Sequence, residues 1–190
     1  MLEEFDFDDI VISIKSSDVR KTIEAYRMVS SQCNYPLHLG VTEAGTAYGG
    51  IIKSSAGIGA LLLNGIGDTI RVSLTADPIE EVKAAKALLS ALDLRSEPQL
   101  VSCPTCGRCR INLFEIAAKV EKYLENIQKP IKVAVMGCAV NGPGEAKDAH
   151  IGIAGGKGEA VLFKKGEIVK KLKEEEILEV LFREIDLWSE

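Results

Sequence analysis

The sequence predicts an α/β protein in which three consecutive βα units precede a small α/β (α+β) domain. In the first half, β-branched runs alternate with amphipathic stretches, and a Cys-rich turn opens the second half. At 190 residues the chain is also shorter than the ~250 residues of a typical eight-stranded barrel. Its composition, 46% hydrophobic and 27% charged, is that of an ordinary globular protein.

The first half contains three apolar strands, each followed by a helix. Asp18 and Asp77 are placed as helix N-caps, and Pro78 occupies a first helical position. Consecutive strand–helix units predict parallel strands with right-handed crossovers. The predicted elements are a strand over 9–15, a helix to about 31, a strand over 37–41, a helix over about 50–63, a strand over 69–74 and a helix to about 92.

The polar segment 93–98 ends in proline and interrupts the helical pattern, which predicts a domain boundary. We therefore expect one domain over 1–94 and a second domain over 95–190. In the second domain the predicted elements are a strand to about 102, a helix over about 112–127, a strand over 131–137, two or three short strands between 150 and 169, and a charged helix over about 173–188.

Charge and hydropathy exclude some classes of partner. The net charge is -5, and neither half is basic enough to indicate a nucleic-acid partner. No apolar run approaches the ~18 residues of a membrane span, and the first residues are acidic where a secretory signal is basic. We expect a cytoplasmic protein that binds neither nucleic acid nor membrane.

Polar side chains recur at one position in each strand–helix unit. Lys15, Glu43 and Arg71 are spaced 28 residues apart, each at or just beyond the carboxyl end of a predicted strand, with Ser73 beside Arg71. One interpretation is that polar residues simply begin loops there. The other is a shared site at the ligand-binding edge of a parallel sheet, where Lys and Arg would suit a phosphorylated ligand.

Four cysteines indicate a metal centre. Cys103, Cys106 and Cys109 share one turn, and Cys138 follows a strongly predicted strand that could return it to that turn. The spacing allows a four-cysteine zinc site, a four-iron cluster held by all four thiols, or a cluster with one non-thiolate ligand and an iron open to substrate. Spacing does not choose among these.

Other conspicuous residues have simpler interpretations. Cys33, near a helix end without other ligand types, is expected to be a buried inert thiol. His38 is expected to be packed or hydrogen-bonded within its strand, although a role at the active-site end is an alternative, and His150 is interpreted as structural. The segment 155–158 lacks the features of a phosphate-binding loop and predicts a hairpin turn.

Five stretches together resemble one enzyme family, the 4-hydroxy-3-methylbut-2-enyl diphosphate synthases, which are iron–sulfur reductases of the non-mevalonate isoprenoid pathway. The resemblance covers nearly the whole chain, and its most specific motifs are Cys-Pro-Thr-Cys and Asn-Gly-Pro-Gly-Glu. The stretches are residues 12–18, 39–45, 68–74, 103–108 and 137–145.

The resemblance implies a reductive dehydroxylation of 2-C-methyl-D-erythritol 2,4-cyclodiphosphate. Electrons would enter from reduced ferredoxin or flavodoxin through a [4Fe-4S] cluster held by Cys103, Cys106, Cys138 and Glu145, with the carboxylate as the exchangeable ligand. This selects the third interpretation of the cysteines. Cys109 departs from the family pattern, in which this position is usually not cysteine.

The resemblance also implies roles for other residues. Lys15, Arg71 and Ser73 match positions that bind the diphosphate. Glu43 matches a carboxylate that acts on the substrate hydroxyl or supplies a proton, and Asn141 matches a position near the reacting group, so that these two and Glu145 are the catalytic candidates. The intact family enzyme is expected to be a homodimer.

A second departure is the absence of five further barrel strands. The resemblance therefore implies that residues 1–94 are an incomplete TIM-type barrel of three βα units and that residues 95–190 are the cluster domain. We therefore expect this chain to be the C-terminal portion of a longer enzyme. It should fold its cluster domain without turning over substrate by itself, and it should be prone to self-association through an open sheet edge.

Overall fold

The structure is a computed structural model that describes residues 2–189. The chain divides into two compact units, Met1–Arg95 and Ser96–Glu190. Among the described residues, no helix has the length and apolarity needed to cross a bilayer.

The first unit is a small parallel sheet with helices. Strands β1 and β2 pair in parallel, with Gly40 opposite Arg71, as three consecutive strand–helix units predict. Its elements are a 3₁₀ turn at Glu3–Phe5, α1 at Val19–Ser30, β1 at His38–Gly40, α2 at Ala47–Leu62, β2 at Thr69–Arg71 and α3 at Pro78–Ala91. The predicted caps are present, since the carboxylates of Asp18 and Asp77 accept hydrogen bonds from the backbone of the first helical turn.

The strand predicted over 9–15 is wrong in its extent, because this segment makes a single parallel bridge, from Ile12 to residue 37. The Ile12 backbone bonds to Pro36 and His38. At the next position of the parallel ladder, the Ile14 N–H would donate to the His38 carbonyl. There the hydroxyl of Tyr26 instead accepts from the Ile14 N–H at 3.0 Å and donates to the His38 carbonyl at 2.5 Å. The hydroxyl stands between two groups that would otherwise pair, so the ladder ends after one bridge.

Helices cover one face of this small sheet. Side chains alternate between the two faces of a strand, and Leu39 and Val41 are fully buried on the helical side. Helix α2 lies close against that face, since a Cβ at Gly57 would come within 2.8 Å of the Val41 side chain. His38 and Gly40 therefore belong to the opposite face.

The second unit is a five-stranded sheet in the order β3-β4-β5-β6-β7. Strands β3, β4 and β5 are parallel, and β6 and β7 continue the sheet antiparallel. The elements are β3 at Gln99–Ser102, α4 at Leu113–Leu124, β4 at Lys132–Met136, α5 at Gly142–Glu145, β5 at Ile151–Gly155, β6 at Glu159–Lys164, β7 at Glu167–Lys173, a 3₁₀ turn at Glu174–Glu176 and α6 at Ile177–Leu187.

Both faces of this sheet are covered. Helices α4 and α6 pack on one face around Val133, Val135 and Leu181, and the segment after β4 packs Ala146 and Ala149 on the other. The charged C-terminal helix starts later than predicted, because Lys173 still belongs to β7. Strand β7 is an edge of the sheet and exposes three lysines, Lys170, Lys171 and Lys173.

The structure also shows the turn at residues 156–158 and the surroundings of His150 and Cys33. The hairpin prediction is confirmed, since residues 156–158 connect antiparallel β5 and β6. The His150 ring accepts a hydrogen bond from the Lys132 N–H at 2.9 Å and contacts the Trp188 ring. The prediction of a buried Cys33 is wrong, because this residue follows the exposed turn at residues 31 and 32 and its thiol is half-buried, donating to the Val29 carbonyl at 3.6 Å.

Candidate functional site

The face of the first sheet that faces away from the helices is polar. The register of β1 and β2 places His38 beside Thr69 and Gly40 beside Arg71, and parallel partners share a face. The side chain of Lys15 lies across Gly40, because a Cβ at Gly40 would be 2.9 Å from Lys15 Cε and 3.0 Å from its Nζ. Because Gly40 has no side chain, the ammonium group of Lys15 has room to lie beside Arg71.

Two cations on this face repel each other. Burial, and secondly the charge of Arg71, hold the pKa of Lys15 below its usual range. Within residues 2–189 neither Lys15 nor Arg71 forms an ion pair with a carboxylate. Two neighbouring cations without a counter-ion have the electrostatic character of an anion-binding site.

His38, which the sequence predicts to be packed or hydrogen-bonded with a role at the active-site end as the alternative, lies in this group. Its Nδ1 lies 2.8 Å from the hydroxyl of Thr69. Burial lowers the pKa of His38, and the charges of Lys15 and Arg71 lower it further, so the ring is neutral at pH 7. A signal was available in the sequence, because His38 is two residues before Gly40 and so shares its face of the strand.

Ser73 and Glu43 follow the carboxyl ends of β2 and β1, respectively. Ser73 is half-buried two residues beyond Arg71, on the continuation of β2. Glu43 is exposed in the turn after β1, with a φ of 51° that non-glycine residues seldom adopt. In the part of the chain that the structure describes, Glu43 forms no ion pair with Lys15 or Arg71. The structure brings Lys15, Arg71 and His38 together and leaves the Glu43 carboxylate unpaired.

In the second unit, cysteines follow two adjacent parallel strands. Cys103 follows β3 directly, and Cys138 follows β4 after Gly137. Because the carboxyl ends of parallel strands share one edge of a sheet, the two cysteine loops meet there. The Gly137 N–H donates a hydrogen bond to Cys103 Sγ at 3.2 Å, so the residue before one cysteine contacts the other cysteine's sulfur.

Cys109 lies against the same glycine. A Cβ at Gly137 would be 2.9 Å from Cys109 Sγ, and that thiol donates to the Ile111 carbonyl at 3.4 Å. The Cys109 N–H donates to the Cys106 carbonyl at 3.0 Å, which closes the Cys-rich turn. Sequence spacing alone does not reveal that Cys103 and Cys109 share Gly137 as a contact.

The remaining candidates lie on the loop after β4. Asn141 is half-buried and precedes α5, where its carbonyl accepts from the Glu145 N–H at 2.9 Å. Glu145 and Cys106 are exposed. Over residues 2–189, no three Cys, His, Asp or Glu side chains are arranged as a ready metal-ligand set. The structure thus brings the sulfurs of Cys103 and Cys109 to Gly137, and within the described residues the side chains of Cys106 and Glu145 do not complete a ligand group with them.

The donor set at this sheet edge nevertheless fits an iron–sulfur group in its chemistry. Soft thiol ligands suit iron–sulfur clusters, and backbone N–H groups directed at sulfur are among the contacts that tune them. All five cysteines are free of disulfides, so their thiols are available as ligands.

Comparison with known proteins identifies a class of two-domain proteins, in which a TIM-barrel domain is joined to a separate C-terminal domain. Residues 1–86 match the family model "GcpE TIM-barrel domain" and residues 99–187 match "GcpE protein C-terminal domain". The chain belongs to the GcpE family.

The chain is also similar to curated proteins named 4-hydroxy-3-methylbut-2-en-1-yl diphosphate synthase (flavodoxin). The protein of Clostridium tetani is 66% identical over 186 residues, which are 97% of this chain and 53% of the relative. That of Clostridium acetobutylicum is 63% identical, covering 98% of this chain and 54% of the relative. That of Bacillus subtilis is 56% identical, covering 100% and 51%. The chain spans about half the length of the curated relatives it matches.

Proposed function

We propose that this chain is part of an enzyme that converts 2-C-methyl-D-erythritol 2,4-cyclodiphosphate to 4-hydroxy-3-methylbut-2-enyl diphosphate by reductive dehydroxylation. The observation that carries this proposal is the convergence of the Cys103 and Cys138 loops at one edge of the second sheet, with the Gly137 N–H bonded to Cys103 Sγ. A reductive step needs a redox group, and thiols at adjacent strand ends are suited to hold one. The names of the relatives support the choice of reaction.

Cys103, Cys106, Cys138 and Glu145 are the residues that would hold a [4Fe-4S] cluster in this proposal. When bound, the cluster would pass the two electrons of the reduction, one at a time, from the reduced donor protein. A carboxylate ligand such as Glu145 exchanges with oxygen ligands more readily than a thiolate does, which is why substrate chemistry favours a site with one non-thiolate position. The exposure of Glu145 at the end of α5 is consistent with an exchangeable ligand.

The diphosphate would bind in the first unit. The uncompensated cations Lys15 and Arg71 neutralise phosphate charge, Arg71 is able to bind two oxygens at once, and Ser73 offers a hydroxyl donor beside it. Glu43 and Asn141 complete the catalytic residues, with Glu43 acting on the substrate hydroxyl or as a proton source and Asn141 orienting the reacting group.

The two domains then have distinct tasks, with residues 1–94 as the substrate side and 95–190 as the cluster domain. The parallel segments of the first unit would form part of a barrel wall, and three such segments do not close a barrel. The purified 190-residue chain, supplied with cyclodiphosphate and a reductant, should therefore give no product. Measurable conversion by this chain alone would contradict the assignment of a partial barrel.

The expected electron donor is reduced flavodoxin, which the names of the relatives include. We expect the intact enzyme to be a homodimer and to work in the cytoplasm, because a ligand set of free thiols suits a reducing compartment.

Anaerobic reconstitution with iron and sulfide tests the cluster. The expected content is about four irons and four sulfides per chain, with an electron paramagnetic resonance signal after reduction. Glu145→Ala should alter that signal, whereas the matched control Cys109→Ser should not. The opposite pattern would favour an electron-transfer module with an all-cysteine cluster, and bound zinc without iron would indicate a zinc-stabilised interaction domain.

A further inference from the structure

His38 has a ring nitrogen that the fold does not use. Its Nδ1 is engaged with the Thr69 hydroxyl at 2.8 Å, and among the described residues Nε2 has no hydrogen-bond partner. The ring stands on the same face as Lys15 and Arg71, which are the two charges that act on it. An acidic neighbour, Asp68, is engaged elsewhere, since its carboxylate accepts from the Leu37 N–H at 2.7 Å.

We propose that the Nε2–H of His38 donates a hydrogen bond to a phosphate oxygen of the anion that Lys15 and Arg71 hold. This inference rests on the proposed diphosphate site and adds a binding residue to it. Donation from the Thr69 hydroxyl to Nδ1 leaves the proton of the neutral ring on Nε2, the tautomer that the proposal requires.

A neutral donor is physically appropriate here. A third permanent cation would be repelled by both Lys15 and Arg71, whereas a neutral imidazole adds a hydrogen bond without adding charge. Once an anion neutralises the two cations, their effect on the ring weakens. The pKa of His38 should therefore rise when an anion binds.

The chain contains two histidines, and His150, bonded to the Lys132 N–H, serves as an internal control. With a ¹⁵N-labelled chain, inorganic pyrophosphate should shift the His38 ring nitrogens and leave those of His150 unchanged. In sulfate, which keeps its charge between about pH 5 and 8, the pKa of His38 should be higher than without it.

The possible results separate this inference from the proposed site. If pyrophosphate shifts the side-chain signals of Lys15 and Arg71 but not those of His38, the role of His38 is wrong and the anion site stands. If pyrophosphate shifts none of the three, both the role of His38 and the anion site are contradicted.

Two substitutions distinguish ligand binding from a structural contact. The amide of His38→Gln reaches the position of Nε2, whereas that of His38→Asn reaches only the position of Nδ1 and keeps the contact with Thr69. His38→Asn should weaken pyrophosphate binding about tenfold, the loss of one hydrogen bond to a charged group, and His38→Gln should stay within about threefold of the original chain. Equal affinities in all three chains, or equal loss in both variants, would overturn the proposal. Thermal unfolding of each variant verifies that the first unit is intact.

Discussion

The sheet of the first unit is covered on one face, whereas that of the second unit is covered on both. Every residue of β5, Ile151–Gly155, is buried, as expected of a strand between two layers. In β1 and β2, polar residues such as His38 and Arg71 alternate with apolar ones. The second sheet therefore lies within a core that covers both of its faces, whereas the first sheet carries polar side chains on an uncovered face.

The largest effect should come from the core of the second unit. Phe163 is fully buried, and its ring occupies the space that a Cβ at Gly152 would need. Phe163→Ala should lower the free energy of unfolding of this unit by about 3–5 kcal/mol and leave the first unit unaffected. Fluorescence of Trp188, the single tryptophan, reports urea unfolding of the second unit. The control Phe114→Ala removes a ring that is 76% exposed, and an equal loss there would contradict the burial argument.

In the first unit, a smaller loss is expected from Tyr26→Phe. The substitution takes the acceptor from the Ile14 N–H and one donor from the His38 carbonyl, which should cost about 1–3 kcal/mol. Hydrogen exchange at the Ile14 amide should become faster. Tyr123→Phe, which removes a hydroxyl bonded to Asp186 in the second unit, is the matched control and should leave Ile14 unchanged. Slower exchange at Ile14 would mean instead that the ladder closes when the hydroxyl is gone.

A gain in stability is expected where the backbone is strained. Glu43 has a φ of 51°, so Glu43→Gly should stabilise the first unit by about 1 kcal/mol in thermal unfolding. Lys165→Gly, at a φ of 48° in the turn between β6 and β7, should give a similar gain in the second unit. Glu43→Ala keeps the strain and removes only the carboxylate, and a gain from that variant would show that charge rather than backbone is responsible.

The smallest effect is expected on the pH dependence of the stability of the first unit. The native pKa of His38 lies below the ordinary 6.5 of the unfolded chain, so the first unit loses stability as pH falls through 6.5 toward the native value. Lys15→Gln removes a cation that lowers this pKa and should reduce that loss by less than about 1 kcal/mol. Unfolding free energies measured between about pH 5 and 8 test this, and identical pH dependence in both chains would contradict it.

Much of this architecture is predictable because it rests on local rules. Asp18 and Asp77 begin helices through their carboxylates, and Cys103 and Cys138 converge because adjacent parallel strands end at one edge. Lys15 and Arg71 hold equivalent positions in two of the predicted strand–helix units, and their side chains come together at Gly40.

The features that the sequence did not predict depend on contacts between residues that are distant along the chain. No periodicity in residues 9–15 reveals that the Tyr26 hydroxyl interrupts their pairing with β1. The contact of Cys109 with Gly137 joins two loops, and the partner of His38, Thr69, lies 31 residues away along the chain.

The lysines of β7 have a consequence for the behaviour of the chain in concentrated solution. An edge strand offers unpaired backbone groups to any other extended peptide, which is the first step of ordered aggregation. A peptide that aligned with β7 would lie along Lys170, Lys171 and Lys173 and would have to displace their hydration. These charges therefore oppose the addition of a further strand at the β7 edge.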